Sequence, residues 1–248
     1  FNIGRPVNSS KWDSQPTISA NGRALYFCSR RKGGYGGIDI WVSFLKGKAW
    51  SEPINLGPNV NTAGDEQSPF IHPDNETLYF SSNGHIGMGD ADLYVARKDS
   101  LGKWAAAENL GYPINTSGNE NGLIVTANGE RAYYSSLNMA DSTGLDLYYF
   151  ELPKKAKPNY VTYVKGKVFD QKTDKKTSAT IELLDLETGK VILKTIADSV
   201  TGEFLVTLPA GKNYMYNVSK KGYLFHSENF SLKNHHNNEP YLLDIGLI

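Results

Sequence analysis

Six carboxylates recur at one step along the chain. Asp39, Asp92 and Asp146 stand 53 and 54 residues apart, and Asp13, Glu66 and Glu120 keep the same two steps. The first set follows glycine-bearing stretches: residues 32–37, residues 84–89, and Asp141-Ser142-Thr143-Gly144. Carboxylates in such loops could ligate a cation. The second set, if it lined a common mouth, would form an acidic ring that attracts cations or basic peptide segments. Repetition favours a structural task instead. A carboxylate at a strand start accepts bonds from loop N–H groups and fixes the loop, whereas a single central site rarely needs the same group from every copy.

Other reactive residues carry less. Cys28 is the only cysteine, so no intrachain disulfide forms. It has no neighbouring histidine and replaces a serine of the other copies, as a buried small residue does. The glycine stretches lack the Lys-Ser/Thr of a phosphate-binding loop and open no helix; they read as inter-strand loops. His235-His236 would point to opposite faces of an extended segment, and residues 233–238 read as a polar loop. His72 and His85 have no partners at metal-ligand spacing. The nucleophile elbow, the zinc-protease helix motif and the aspartate box of sialidases are all missing, although a pair of carboxylates at catalytic separation is not legible in sequence. The expectation is a non-enzyme with no catalytic, cofactor-binding or metal residue and no cofactor. What remains is aromatic loop surface. Tyr35, Trp41, Tyr112 and Tyr223 are the candidate partner-binding residues, with a place in the core as the alternative.

The elements that would position these residues are short strands. Leu25-Tyr26-Phe27-Cys28-Ser29 recurs as Leu78-Tyr79-Phe80-Ser81-Ser82 and as Ala132-Tyr133-Tyr134-Ser135-Ser136. Each copy opens alike at Val7-Asn8-Ser9, Val60-Asn61-Thr62 and Ile114-Asn115-Thr116. Turn pairs at Asn21-Gly22, Asp74-Asn75 and Asn128-Gly129 predict tight hairpins with positive φ. The repeats span residues 8–57, 58–111 and 112–152. Four short antiparallel strands per copy predict propeller blades, and no segment has a helical period. Trp50 and Trp104, at equivalent places, should pack between blades. The third repeat lacks its fourth strand. Phe1-Asn2-Ile3-Gly4 matches Asn55-Leu56-Gly57 and reads as a fourth strand with no blade before it, so the chain looks like part of a larger propeller. Residues 153–159, rich in lysine and proline, read as a linker. From residue 160 strands alternate at short spacing, as in a β-sandwich of 160–248.

Bulk composition bounds the partners. The chain has 248 residues, with 26 basic and 26 acidic side chains. Zero net charge argues against nucleic acid, which needs a basic surface, and against an electrostatic membrane site. No apolar run is long enough to span a bilayer. With neither an initiating Met nor a signal peptide, the chain reads as an excised piece or a mature product. One cysteine suits either the cytoplasm or a periplasm.

The segment Pro69-Phe70-Ile71-His72-Pro73-Asp74-Asn75-Glu76-Thr77-Leu78-Tyr79-Phe80-Ser81-Ser82, followed by Asp92-Leu93-Tyr94, resembles the PD40 or WD40-like repeat of TolB-like propellers over residues 1–152. Val164-Lys165-Gly166-Lys167-Val168, Asp198-Ser199-Val200-Thr201-Gly202-Glu203-Phe204, Pro209-Ala210-Gly211 and Lys221-Gly222-Tyr223 resemble the carboxypeptidase regulatory-like domain. The resemblance implies an all-β fold: a partial β-propeller of PD40 blades followed by a transthyretin-like sandwich. This domain order is similar to OmpA-family envelope proteins in which a TPR region precedes and a peptidoglycan-binding domain follows, including a component of the type IX secretion system. It implies a periplasmic, outer-membrane-associated scaffold that binds secretion-system or other envelope proteins, reaching peptidoglycan only through a domain outside this sequence. The alternative is a carbohydrate- or peptide-binding accessory of an envelope enzyme.

Overall fold

The computed structural model describes residues 1–137, 144–235 and 239–248. Most of the loop read at 141–144, and His236 with Asn237 and Asn238, lie outside the described residues. The chain divides into two compact units, Phe1–Asn159 and Tyr160–Ile248. Both are built from strands; among the described residues the one helical element is a 3-10 turn at Lys154–Ala156.

The first unit holds three antiparallel sheets in chain order. The first contains β1 (Asp13–Ile18), β2 (Ala24–Ser29), β3 (Asp39–Lys46), β4 (Ala49–Trp50) and β5 (Ile54–Asn55). The second contains β6 (Glu66–Ile71), β7 (Thr77–Ser82), β8 (Asp92–Arg97) and β9 (Glu108–Asn109). The third contains β10 (Glu120–Val125), β11 (Arg131–Leu137) and β12 (Leu145–Glu151). The fourth strand expected of the first two copies is short. In the first sheet it is split, with β4 and β5 both pairing β3.

Strand parity explains the packing. On β2, Tyr26 and Cys28 face the second sheet, while Leu25 and Phe27 face away from it. On β7, Leu78 and Phe80 meet the first sheet and Tyr79 the third. These middle strands are therefore buried on both faces, which is why they read as continuous apolar runs. Each fully buried Leu or Phe there contributes about 2 kcal/mol. Trp104 packs edge-on against Tyr26 of the preceding repeat, ring centroids 6.1 Å apart. Trp50 lies on the outer face of the first sheet with Phe27 and Trp41.

The hairpins are wider than the two-residue turns expected. Gly22 N–H bonds the Ser19 carbonyl and Asn75 N–H the His72 carbonyl. Only the second residue of each pair is left-handed, at φ 67°, 61° and 66° for Gly22, Asn75 and Gly129. This is a type I turn closed by one left-handed residue. A bulge also recurs in the first strand of every repeat, at Gln15, Ser68 and Gly122, all with φ near 50–68°.

The segment read as a linker is instead folded onto the first unit. Ala156 is fully buried. Its carbonyl accepts a bond from the Tyr79 hydroxyl at 2.6 Å, and Arg97 donates to the carbonyls of Lys155 and Lys157. Asn159 N–H donates to Asp74.

The second unit has two sheets around one core. One has the order β16 (Glu203–Pro209), β13 (Val161–Asp170), β19 (Tyr241–Leu247). The other runs β15 (Val191–Ile196), β14 (Thr180–Asp185), β17 (Asn213–Ser219), β18 (His226–Ser231). Val164, Val168, Phe204 and Ile245 of the first meet Ile181, Leu183, Tyr216 and Val218 of the second. β13 and β19 pair in parallel. Strands β15, β18 and β19 go beyond those expected from sequence.

Candidate functional site

The second carboxylate set is consumed by bonds within the fold. Glu66 is fully buried and accepts from Thr62 N–H, Thr62 Oγ1 and Ser82 Oγ at 2.6–2.8 Å. Glu120 repeats the pattern with Thr116 and Ser136. Asp13 uses Ser9 and Ser29 and adds an ion pair with Arg31 at 2.8 Å. Each carboxylate thus ties the loop entering its repeat to the end of the second strand. Burial pushes the Asp13 carboxyl up, but the bonds from Ser29, Ser9 and Arg31 outweigh it and hold the group below its ordinary range. Asp74 is likewise held low: burial raises it, and His72, Glu76 N–H and Thr77 more than offset that.

The sign of the resulting pH dependence follows. A carboxyl depressed in the folded state stabilises it above the ordinary carboxylate range, and that contribution is lost as pH falls through the folded value. Asp13→Asn should therefore cost about 1–3 kcal/mol at pH 7 and flatten the acid limb of a urea-denaturation series. An unchanged acid limb would refute the assignment. Asp39 carries the opposite sign. Burial, with Glu66 and Asp65 nearby, raises its carboxyl despite bonds from Gly36 and Tyr35, so its ionisation with rising pH costs stability.

Asp39 and Asp92 hold the glycine loops. Tyr35 N–H donates to Asp39 Oδ2 at 2.9 Å and Gly36 N–H to its other oxygen. Met88 and Gly89 N–H groups make the same bonds to Asp92. Tyr35 and Met88 are therefore the same position in successive repeats, and in both the side chain is displayed to solvent. Asp146 is exposed, and most of the loop before it lies outside the described residues.

Antiparallel order puts these loops at one end of the first unit. Each second strand runs toward that end and each third strand starts there, and the connections entering each repeat lie there too. Tyr35, 53% exposed, and Tyr112, 78% exposed, share it. So do Ile86, at 95%, Met88, and Trp12, whose ring lies 5.9 Å from the Arg30 guanidinium. Sequence reasoning missed Ile86 and Met88. They are the apolar side chains of an otherwise glycine-rich loop, and that incongruity was the available signal.

Two of the four aromatic candidates are engaged in packing or bonding. Trp41 is only 6% exposed. It lies on β3 across from Phe27, and Arg31 stacks over both rings at 4.9 and 5.4 Å. Tyr223 belongs to the second unit, is half-buried, and donates its hydroxyl to Asp170 at 2.8 Å. Trp41 does not share the loop face of the first unit.

Buried titratable groups elsewhere also join repeats. His72 Nε2 lies 3.2 Å from the Thr126 carbonyl of the third repeat. Lys98 donates to the Tyr26 hydroxyl of the first repeat at 3.3 Å and to the Asn75 carbonyl, its ammonium pushed down by burial. The Cys28 thiol is pushed up to about 12 by burial. Among the described residues no three His, Cys, Asp or Glu side chains come together as metal ligands, and no helix is long and apolar enough to cross a membrane.

No family model matches the chain, and no curated protein does. Solved structures similar to it include the α-L-arabinofuranosidase from Lactobacillus brevis, at 13% identity over 92% of this chain and 70% of that one, TM-score 0.43. A GH93 α-L-arabinofuranosidase of Fusarium graminearum, solved with arabinobiose, matches at 11% identity over 90% and 76%, TM-score 0.39. S.CueP matches at 15% identity over 51% and 75%, TM-score 0.29. At scores this low they carry no inference about substrate or chemistry.

Proposed function

We propose that the chain is a non-enzymatic interaction module of a cell-envelope protein. In this reading the first unit is a partial β-propeller of PD40 blades and the second a transthyretin-like, carboxypeptidase regulatory-like sandwich. The parent protein is periplasmic, outer-membrane-associated and anchored to peptidoglycan by a domain outside this sequence, and it serves an assembly such as the type IX secretion system. The carrying observation is the use of Asp39 and Asp92. Their carboxylates bond loop N–H groups, and the residues so held display Tyr35 and Met88. Rigid presentation of exposed apolar side chains suits protein docking.

The test uses the intact chain as bait on detergent-solubilised envelope from a bacterium with a type IX system. The expected result is capture of envelope subunits, reduced about tenfold or more when Tyr35→Ala and Ile86→Ala are combined, with the circular dichroism unchanged. A glycan array provides the counter-test. Tight binding of a defined sugar, lost in Tyr35→Ala, would move the protein to the class of carbohydrate-binding accessories. Hydrolase activity abolished by Asp92→Asn in a folded protein would overturn the non-enzymatic reading.

A further inference from the structure

The second unit carries an open cleft of about 440 Å³ at one end of its four-stranded sheet, a size that takes a small organic molecule. Strand parity sets its floor. Thr180 pairs with Ile196 of β15 and with Ser219 of β17. Ile181, the next residue, is buried in the core, so the three side chains of the Thr180 row stand on the outer face. The wall is the chain that leaves β17. Tyr223 N–H bonds the Lys220 carbonyl, and Gly222 takes φ 89° to make the turn. That turn brings Lys220, Lys221, Tyr223 and Phe225 to the cleft.

The charge of the lining is one-sided. It includes two lysines and no carboxylate, in a chain whose acids and bases balance. Lys220 is half-buried. Its ammonium donates to the Thr177 hydroxyl and lies 5.2 Å from the centre of the Tyr223 ring. Among the described residues neither Lys220 nor Lys221 has an ion-pair partner. The carboxylates close by are engaged. Asp170 accepts from the Tyr223 hydroxyl at 2.8 Å, which fixes that ring, and Glu182, the next outward residue of β14, pairs with Lys194 at 2.7 Å. A half-buried ammonium with no counter-charge is the unmet half of an ion pair. The rest of the lining is of two kinds. Ser178, Thr180 and Ser219 present hydroxyls, and Ile196 and Phe225 present apolar surface that is 68% and 66% exposed.

We infer that this cleft binds a small acidic saccharide, a pyranose that carries a carboxylate. The carboxylate pairs with Lys220 and Lys221, the ring hydroxyls exchange bonds with Ser178, Thr180 and Ser219, and the apolar face of the ring rests on Phe225. Each feature of the lining then has a partner. A neutral sugar leaves both ammonium groups without a counter-charge. A bare anion leaves the hydroxyls and the aromatic ring unused. The site lies wholly within the second unit, so it neither needs the docking face of the first unit nor tests it.

The test is amide NMR of the intact chain titrated with glucuronic acid, with glucose and acetate as controls. Saturable shifts are expected at residues 178–180, 196 and 219–225, with a dissociation constant of about 1 mM for a ligand of this size. Glucose and acetate should each bind about tenfold more weakly, or less. Lys221→Ala and Phe225→Ala, both at exposed positions, should each weaken glucuronic acid about fivefold with the remaining spectrum unchanged. Lys220→Met should weaken it about tenfold or more. Lys220 also packs on Tyr223, so the two exposed positions decide if that variant unfolds the second unit. Added salt should weaken binding, since the carboxylate is held by charge. No saturation up to about 50 mM glucuronic acid, far above the expected constant, overturns the proposal. So does equal binding of glucose, or an affinity indifferent to both Lys221→Ala and Phe225→Ala.

Discussion

Asn115→Ala is expected to destabilise the first unit by about 3 kcal/mol in urea denaturation. The asparagine clamps a dry joint with three bonds: two to the main chain of Leu93 and a brace to Asn109. Leu93 is fully buried. Alanine leaves its N–H unpaired, removes one of two donors to its carbonyl, and opens a gap that the backbone on either side holds apart. A buried polar group left without a partner costs about 1–3 kcal/mol, and removal of the side chain adds to that. Asn8→Ala is the internal control. It removes the same brace at residues 1–8, where none of the described strands stands opposite, so in this chain its effect should be a few tenths of a kcal/mol, as for an exposed site. Equal shifts for the two variants would show that the clamp contributes nothing and that these asparagines matter only for the loops they sit in.

The repeats were legible because the period is carried by side chains that must be buried. Leu78 and Phe80 keep their counterparts in every copy for that reason. The clamp is less legible. Asn8, Asn61 and Asn115 are visible as a recurring mark, yet nothing local says that the amides of Asn61 and Asn115 reach a strand about twenty residues back in the chain. Trp41 takes the core alternative: it sits opposite Phe27 on the neighbouring strand, and that register fixes its face. Residues 153–159 misled for another reason. Their lysines and prolines are those of a linker, and what holds them are bonds from Tyr79 and Arg97, 58–77 residues away, to main-chain carbonyls that no composition reveals. In the second unit, β18 buries only Phe230. β19 pairs in parallel with β13, so no hairpin turn announces it. The loop face was half legible: its tyrosines stood out, and Ile86 and Met88 were hidden by the glycines around them.

Gly166→Val should unfold the second unit and leave the first intact. Gly166 lies on β13, the central strand of its sheet, directly across from Phe204 on one side and Leu243 on the other. A Cβ there would overlap the Leu243 carbonyl oxygen and stand 2.6 Å from the Phe204 ring. The oxygen belongs to a paired strand and the ring is 95% buried against the opposite sheet, so neither is the free end of a flexible side chain. Both neighbours of β13 are paired to it along seven residues, and moving either one breaks the ladder. Overpacking of a well-packed core costs about 1–3 kcal/mol and more where backbone must shift. The branched side chain adds two further methyls to the clash, which exceeds what a unit of under 100 residues holds in reserve. Amide exchange gives the readout. Protection should vanish across β13, β14, β16 and β17 and persist at Ile40 and Leu93, whose N–H groups Asn61 and Asn115 hold. Retained protection in β13 would mean that the sheet accommodates a side chain where the geometry leaves no room. Joint loss in both units would mean that they fold as one.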